Sequence, residues 1–218
     1  KQYIIYYTDG SKTEDGYGCA VTQGDDIFRF RCHDFSSVYS TELYAILKAI
    51  KIATDNRTSK MIICTDSLSS IQGIQDTKTK HPLVQQIQDL IKISDTTVCF
   101  MWIPSHVGII GNEKVDMEAK RATKENLDIN YLVISTDINR HIKEYGQRVW
   151  QNEWDLEIDN NNKLGKTKKT VKKWKNIHRL KRKDQTVITR LRLGHTRLTH
   201  GHLIERTNQP TCTCTQQL

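Results

Sequence analysis

The sequence lacks the features that mark membrane, secreted and disulfide-rich proteins. Its apolar stretches are only a few residues long, whereas a membrane-spanning helix needs about 20 consecutive apolar residues. Lys1 is not a methionine and no basic-then-apolar signal region follows it, so we expect a piece of a longer protein. The cysteines are scattered, and Cys64 and Cys99 lie in apolar segments, where a free thiol acts as a small hydrophobe. These features predict an intracellular setting, in cytoplasm or nucleus, without membrane contact.

Charge divides the 218 residues into two parts. Residues 1–134 carry 15 Lys/Arg and 17 Asp/Glu, a net charge of −2, and residues 135–218 carry 18 and 8, a net charge of +10. Between Lys163 and Lys183 there are 11 basic residues and no acid. Such a run is either a solvated segment or a contact for nucleic-acid phosphates. We predict one domain over 1–130 and a basic, mainly helical tail over 131–218.

Hydrophobic periodicity predicts an α/β domain. Three strands separated by turn-prone dipeptides indicate an antiparallel meander. Apolar residues at helical spacing predict a long helix next, and the alternation of strands and helices after it implies parallel pairing. The predicted strands cover 3–9, 17–23, 26–33, 60–65 and 97–103, and the predicted helices cover 39–56, 67–76, 82–93, 111–125, 137–156 and 184–191.

Four carboxylates occupy related positions in the predicted strands and helices. Asp9 and Asp66 each end an apolar run, which predicts strand ends beside the crevice where α/β proteins bind ligands. Glu42 lies near the head of the long predicted helix, and Asp116 lies in the helix that follows Gly111. One such Asp alone is more often a turn former or an N-cap, and Glu42 alone could be a partner of the helix dipole. Together the four acids favour a metal site.

The chemistry of these acids suits phosphoryl transfer. Hard cations take oxygen ligands, and two cations about 4 Å apart can activate water and steady the leaving oxygen. Without metal, clustered carboxylates repel one another and some have raised pKa values. His106 lies in a loop between the last predicted strand and the Asp116 helix. A lone loop histidine is usually an ordinary surface residue, but this one is placed to transfer a proton at the site.

The order of these motifs resembles the type 1 ribonuclease H family. The resemblance covers roughly residues 3–125 and implies a mixed five-stranded sheet, three antiparallel strands and then two parallel ones, flanked by helices. It also implies cleavage of the RNA strand of RNA–DNA hybrids. Two Mg²⁺ or Mn²⁺ ions would be bound by Asp9, Glu42, Asp66 and Asp116, with His106 assisting product release. The matching motifs are Thr8-Asp9-Gly10-Ser11, Ser40-Thr41-Glu42-Leu43, Thr65-Asp66-Ser67, and Trp102 to Gly108 continuing through Gly111-Asn112-Glu113 to Asp116.

The tail resembles the segment after ribonuclease H in polyproteins of non-LTR retrotransposons of the jockey and I type. The similar residues are 188–200 and the incomplete Cys-x-Cys segment at Cys212 and Cys214. This resemblance implies a reverse transcriptase domain of the same polyprotein as a further partner. Two other readings stay open: an inactive or domesticated nucleic-acid-binding module that retains the fold, and another nuclease or transposase of the same fold.

Overall fold

The chain folds into two compact units, Lys1–His141 and Ile142–Leu218. The computed structural model describes residues 2–125, 133–159, 165, 167–173, 179–194, 196–208 and 211. His195, Cys212, Cys214 and much of the basic run lie outside the described residues. The functional domain boundary at residue 130 stays a prediction.

The first unit is built on one mixed sheet of five strands in the order β3-β2-β1-β4-β5. β1 pairs antiparallel with β2 and parallel with β4, β2 pairs antiparallel with β3, and β4 pairs parallel with β5. This topology confirms the predicted α/β class, with a three-stranded antiparallel part and two further parallel strands. The strands are β1 Ile4–Thr13, β2 Gly16–Gln23, β3 Asp26–Cys32, β4 Lys60–Thr65 and β5 Thr97–Trp102.

Seven helices complete the part of the chain that the structure describes. None of them is long and apolar enough to cross a membrane. The helices are α1 Val38–Asp55, α2 Leu68–Gln75, α3 Pro82–Ile93, α4 Ile110–Ala122, α5 Ser135–Asp159, α6 Arg182–Leu193 and α7 Arg197–Glu205.

Helices cover both faces of the sheet, because successive strand side chains point to opposite sides. Tyr6 belongs to the large core that β1 and β2 form with α1 and α3, and it is fully buried. Its neighbour Tyr7 packs instead in a smaller cluster with Ala20 of β2 and with Val115 and Ala119 of α4. The sheet therefore lies between α1 and α3 on one face and α4 on the other.

The start of α1 is fixed by a local cap. The Ser37 side chain accepts a hydrogen bond from the Ser40 N–H at 3.1 Å, as an N-cap serine does. The structure therefore begins this helix at Val38, one residue before the predicted start. The cap matters for the site because Glu42 lies in the following turn.

The first residues of α5, up to His141, belong to the first unit and pack within it. Ile134 is 6% exposed and belongs to the large core. Arg140 donates from Nη2 to the carbonyl oxygens of Phe35 and Ser36, at 3.0 and 2.7 Å, and the ring of His141 stacks on Phe35. These contacts lie directly before the Ser37 cap, so the first turns of α5 support the entry into α1.

Candidate metal centre

Asp9 and Asp66 are brought side by side by the parallel pairing of β1 and β4. The last paired residues of this ladder are Tyr7 and Cys64, and each acid lies two residues beyond them. Asp66 follows the end of β4, as predicted. Asp9 does not end its strand, which is a difference from the prediction: β1 continues to Thr13 because it still pairs with β2.

Glu42 reaches the same point from α1. It is 7% exposed and lies against Gly10 of β1, whose backbone N–H hydrogen-bonds to its carboxylate. A Cβ at Gly10 would overlap the backbone of Thr41 and Glu42, so the close approach of helix and strand requires glycine there. Carboxylate oxygens of Asp9, Glu42 and Asp66 lie within 4.8 Å of one another.

This crowding has an electrostatic cost. Burial, reinforced by the charges of Asp66 and Asp116, raises the pKa of Asp9 to about 7. Burial and then the charge of Asp9 raise the pKa of Glu42 well above its usual range. One oxygen of Glu42, Oε2, is buried and accepts no hydrogen bond from any described residue. Three close carboxylates with an unpartnered buried oxygen form a site that a cation would stabilise.

Asp116 belongs to a second group on the same cleft. Ligand atoms of Asp116, Glu113 and His106 lie within 4.8 Å of one another. His106 is exposed and has a left-handed backbone with φ of 56°, so its loop turns sharply at this residue. The structure therefore places all five predicted site residues along one cleft of about 490 Å³ but divides them into two groups.

Three further residues shape the site. Lys120 donates from Nζ to Asp116 Oδ2 at 2.6 Å, one turn along α4. Asn112 is buried and its Nδ2 lies 3.4 Å from Asp66 Oδ2, a long hydrogen bond, and Trp102 donates from Nε1 to the Asp66 carbonyl oxygen at 3.1 Å. None of these three roles was predicted. The i, i+4 spacing of Asp116 and Lys120 indicates their pairing, and Trp102 and Asn112 lie inside the quoted motifs, which gave them no role of their own.

The helix that carries Asp116 is tied to the sheet by a buried acid. Glu118 has a side chain 4% exposed, and Arg29 of β3 and Arg121 both donate to it, at 3.1 and 2.7 Å. Arg29 also pairs with Glu125 at 3.0 Å. These pairs hold α4 in register over the antiparallel strands.

Comparison with known families decides the identity of this fold. The family model described as RNase H matches residues 1–124. The chain belongs to the ribonuclease H family. The match covers the strands, helices and loops that carry Asp9, Glu42, Asp66, His106 and Asp116.

Individual ribonucleases H resemble the same part of the chain. Ribonuclease H1 of Mus musculus is 29% identical over 148 residues, which are 57% of this chain and 52% of that protein. Ribonuclease H of Schizosaccharomyces pombe is 29% identical over 140 residues, 56% of this chain and 53% of that protein. The chain thus spans about half the length of the curated relatives that it matches.

Proposed function

We propose that this chain is an endoribonuclease that hydrolyses the RNA strand of RNA–DNA hybrids with the help of divalent cations. The observation that carries the proposal is the convergence of Asp9, Glu42 and Asp66 within 4.8 Å in an open cleft. Membership of the ribonuclease H family supports the same reaction class. The hybrid substrate is proposed from the resemblance of the site motifs.

The residues present fit a divalent cation. Carboxylate oxygens are the preferred ligands of Mg²⁺ and Mn²⁺, and the orphaned Glu42 Oε2 needs a positive partner. We propose that Asp9, Glu42 and Asp66 hold one ion and that Asp116 contributes to a second. Bound cations of this kind lower the pKa of a water molecule and compensate negative charge on the reacting phosphate.

The protein's own groups orient the substrate and handle protons. In the proposed hydrolysis a water molecule gives up a proton to solvent as its oxygen bonds to phosphorus. The bond from phosphorus to a ribose oxygen breaks, and that ribose oxygen takes up a proton. His106 is exposed on the cleft, beside Asp116, where an imidazole N–H can deliver this proton and release the product. Lys12 lines the same cleft and offers a positive charge to a neighbouring phosphate.

The protein context is also a proposal. The likeness of residues 188–200 and of Cys212 and Cys214 to retrotransposon tails supports an origin in a reverse transcriptase polyprotein, working inside the cell. A coding sequence that continues upstream into a reverse transcriptase reading frame would support this origin, and an unrelated upstream domain would contradict it.

The test of the activity is a cleavage assay with three labelled substrates side by side. We expect the purified chain with Mg²⁺ to cut the RNA of a hybrid and to leave double-stranded RNA and double-stranded DNA intact. Asp66→Asn is the matched control and should give no product. No product from the native chain would favour the inactive nucleic-acid-binding module, and cutting of all three substrates would favour another nuclease of the fold.

A further inference from the structure

A lysine-rich segment is hydrogen-bonded along α5 in the second unit. Gln151 holds it at two points: Nε2 donates to the Lys169 carbonyl oxygen at 3.0 Å, and Oε1 accepts from the Val171 N–H at 2.9 Å. About one turn further along the helix, Trp154 donates from Nε1 to the Lys168 carbonyl oxygen at 2.9 Å. We call residues 167–173 the lysine segment. Gln151 and Trp154 hold it through its backbone carbonyl and N–H groups.

Apolar contacts reinforce the same register. Val171 is 7% exposed. Gly165 lies so close to Ile158 that a Cβ there would overlap the isoleucine side chain. The anchor points run antiparallel along α5, from Ile158 to Trp154 to Gln151. A stretch with four lysines in seven residues would by its charge favour a solvated, extended chain. The anchors instead give it a defined conformation.

The lysine segment and α5 both carry exposed basic side chains. Lys169, Lys172 and Lys173 are exposed, and so is Arg148 of α5. Arg148 and Lys172 line one cleft of about 300 Å³. The Arg148 guanidinium also lies 5.4 Å from the ring centre of Tyr145. One basic residue of α5 and one of the lysine segment therefore meet at this cleft, and the other exposed lysines lie next to it in the chain.

Among the described residues, one acid lines this cleft and a second lies beside Gln151. Glu144 also lines the cleft, and Asp155 accepts a hydrogen bond from Gln151 Nε2 at 2.7 Å. The other acids of this part of α5, Glu153, Glu157 and Asp159, do not line the cleft, and Gln147 and Asn152 add amide groups to its wall. We give the name lysine surface to five basic residues, Arg148, Lys168, Lys169, Lys172 and Lys173.

We propose that the lysine surface is a second nucleic-acid-binding site, which contacts the phosphodiester backbone without reading sequence. Lysines are strongly hydrated point charges suited to phosphates, and contacts of this kind give affinity that is independent of base identity. The proposal goes beyond hydrolysis, because none of its residues belongs to the acidic cleft. It differs from diffuse attraction by a charged tail, because it requires the conformation that Gln151 and Trp154 hold.

The test is binding of a fluorescently labelled hybrid by the full chain in EDTA, at several salt concentrations. Lys169, Lys172 and Lys173 changed together to Gln should weaken binding and make the logarithmic salt slope shallower by about 1 to 3, since each phosphate contact contributes about 0.9 on B-form DNA. Gln151→Leu keeps every charge. It should still weaken binding roughly three- to tenfold, as expected when one or two hydrogen bonds that hold the binding conformation are lost.

Controls separate this surface from general damage to the helix. Asn139→Leu makes a comparable amide-to-leucine change about three turns earlier on α5, at an exposed position that does not line the cleft, and should bind like the native chain. Trp154→Phe keeps an aromatic side chain but removes the indole N–H that donates to the Lys168 carbonyl oxygen. It should act in the same direction as Gln151→Leu, with an unchanged circular dichroism spectrum.

The outcomes are decisive. Suppose that Gln151→Leu and Trp154→Phe keep native affinity and salt slope, and only the triple variant binds more weakly. Binding would then depend on charge alone and not on the conformation that Gln151 and Trp154 hold, which would contradict the proposal. Native binding in the triple variant would overturn nucleic-acid contact altogether and favour an acidic protein partner. Losses should agree within about twofold on hybrid, DNA duplex and single-stranded RNA, since all present the same phosphates, and a loss confined to one would contradict backbone recognition.

Discussion

Lys120 lies 2.6 Å from Asp116, so one acid of the proposed metal centre already has a cation partner. The interaction with Asp116 raises the pKa of Lys120, and the charges of Asp9 and Glu113 act in the same direction. Of the residues that the structure describes, Lys120 is the one that forms an ion pair with any of the four acids. We therefore expect Lys120 to compete with a metal ion for Asp116.

Lys120→Met should tighten metal binding. The lysine is about half exposed, so its pair with Asp116 is worth at most about 1 kcal/mol, and its loss should lower the dissociation constant for Mg²⁺ about two- to fivefold. Calorimetric titration of the substrate-free chain measures this change. Lys120→Arg keeps the charge and should stay close to native. An unchanged or weaker affinity in the methionine variant would show that Lys120 positions Asp116 rather than competing for it.

Asp9→Asn and Asp66→Asn should each abolish hybrid cleavage, because each removes a proposed ligand from the acid group. The same changes should leave the metal-free protein as stable or up to about 3 kcal/mol more stable at pH 8, since they relieve repulsion within the cluster. Cleavage and urea unfolding of the same preparations give both readouts. Full activity in either variant would contradict the metal assignment.

Stability of the metal-free chain should fall as pH rises. The folded pKa of Asp9 is about 7 against 3.8 for the free side chain, and that of Glu42 is raised in the same direction. The folded state thus binds more protons than the unfolded state between about pH 4 and 7. The stabilising contribution is complete below pH 4 and is lost as pH passes 7, and Asp9 alone accounts for about 2–4 kcal/mol.

Urea unfolding in EDTA at pH 5 and pH 8 measures this loss for Asp9. The difference between the two pH values should shrink in Asp9→Asn and also in the native chain with saturating Mg²⁺, which would neutralise the cluster. Equal stability at both pH values in the metal-free native chain would show that the carboxylates are less crowded than their spacing indicates.

Local sequence patterns were sufficient for most of the fold. The apolar periodicity of residues 39–56 and the alternation of later strands and helices predicted elements close to those observed. The extent of β1 was not predictable from Asp9, because the strand continues through polar residues that pair with β2. Tertiary pairing, not local hydrophobicity, decides where this strand ends.

The placing of the acids in one cleft could also be predicted from local sequence patterns, but the residues that contact them could not. Asp9 and Asp66 stand out because they interrupt apolar runs next to Gly or Ser. Asn112 approaches Asp66 only through the way α4 follows β5, and no residue pattern encodes that distance. The support of α4 through buried Glu118 and Arg29 likewise joins positions far apart in the chain.

His106→Ala should slow turnover roughly ten- to a thousandfold at saturating hybrid, as expected for loss of one proton-transfer group. His106→Asn should be equally slow, although asparagine tolerates the left-handed φ of 56° at this position. Single-turnover and steady-state rates together locate the defect, which should appear in bond cleavage as well as in product release. Val107→Ala, the exposed neighbour in the same loop, is the control. Native turnover in both His106 variants would show that His106 is an ordinary loop residue without a role in turnover.

A chain that ends at residue 130 should be less stable than one that ends at residue 145. The shorter chain loses the buried Ile134, whose side chain contributes about 1.5–3 kcal/mol, and the bonds from Arg140 to Phe35 and Ser36, worth about 1 kcal/mol each. We expect a difference of roughly 3–5 kcal/mol in the free energy of unfolding by urea.

Arg140→Met in the full chain separates these two contributions. It removes the bonds to Phe35 and Ser36 but keeps Ile134 in the core, so it should cost about 1–2 kcal/mol. Those carbonyl groups lie directly before the Ser37 cap. Losing their bonds should therefore loosen the first turn of α1 as well, and its amide hydrogens should exchange faster. Equal stability of the chains ending at 130 and 145 would mean that the start of α5 adds nothing to the stability of the sheet domain. The domain would then end near residue 130.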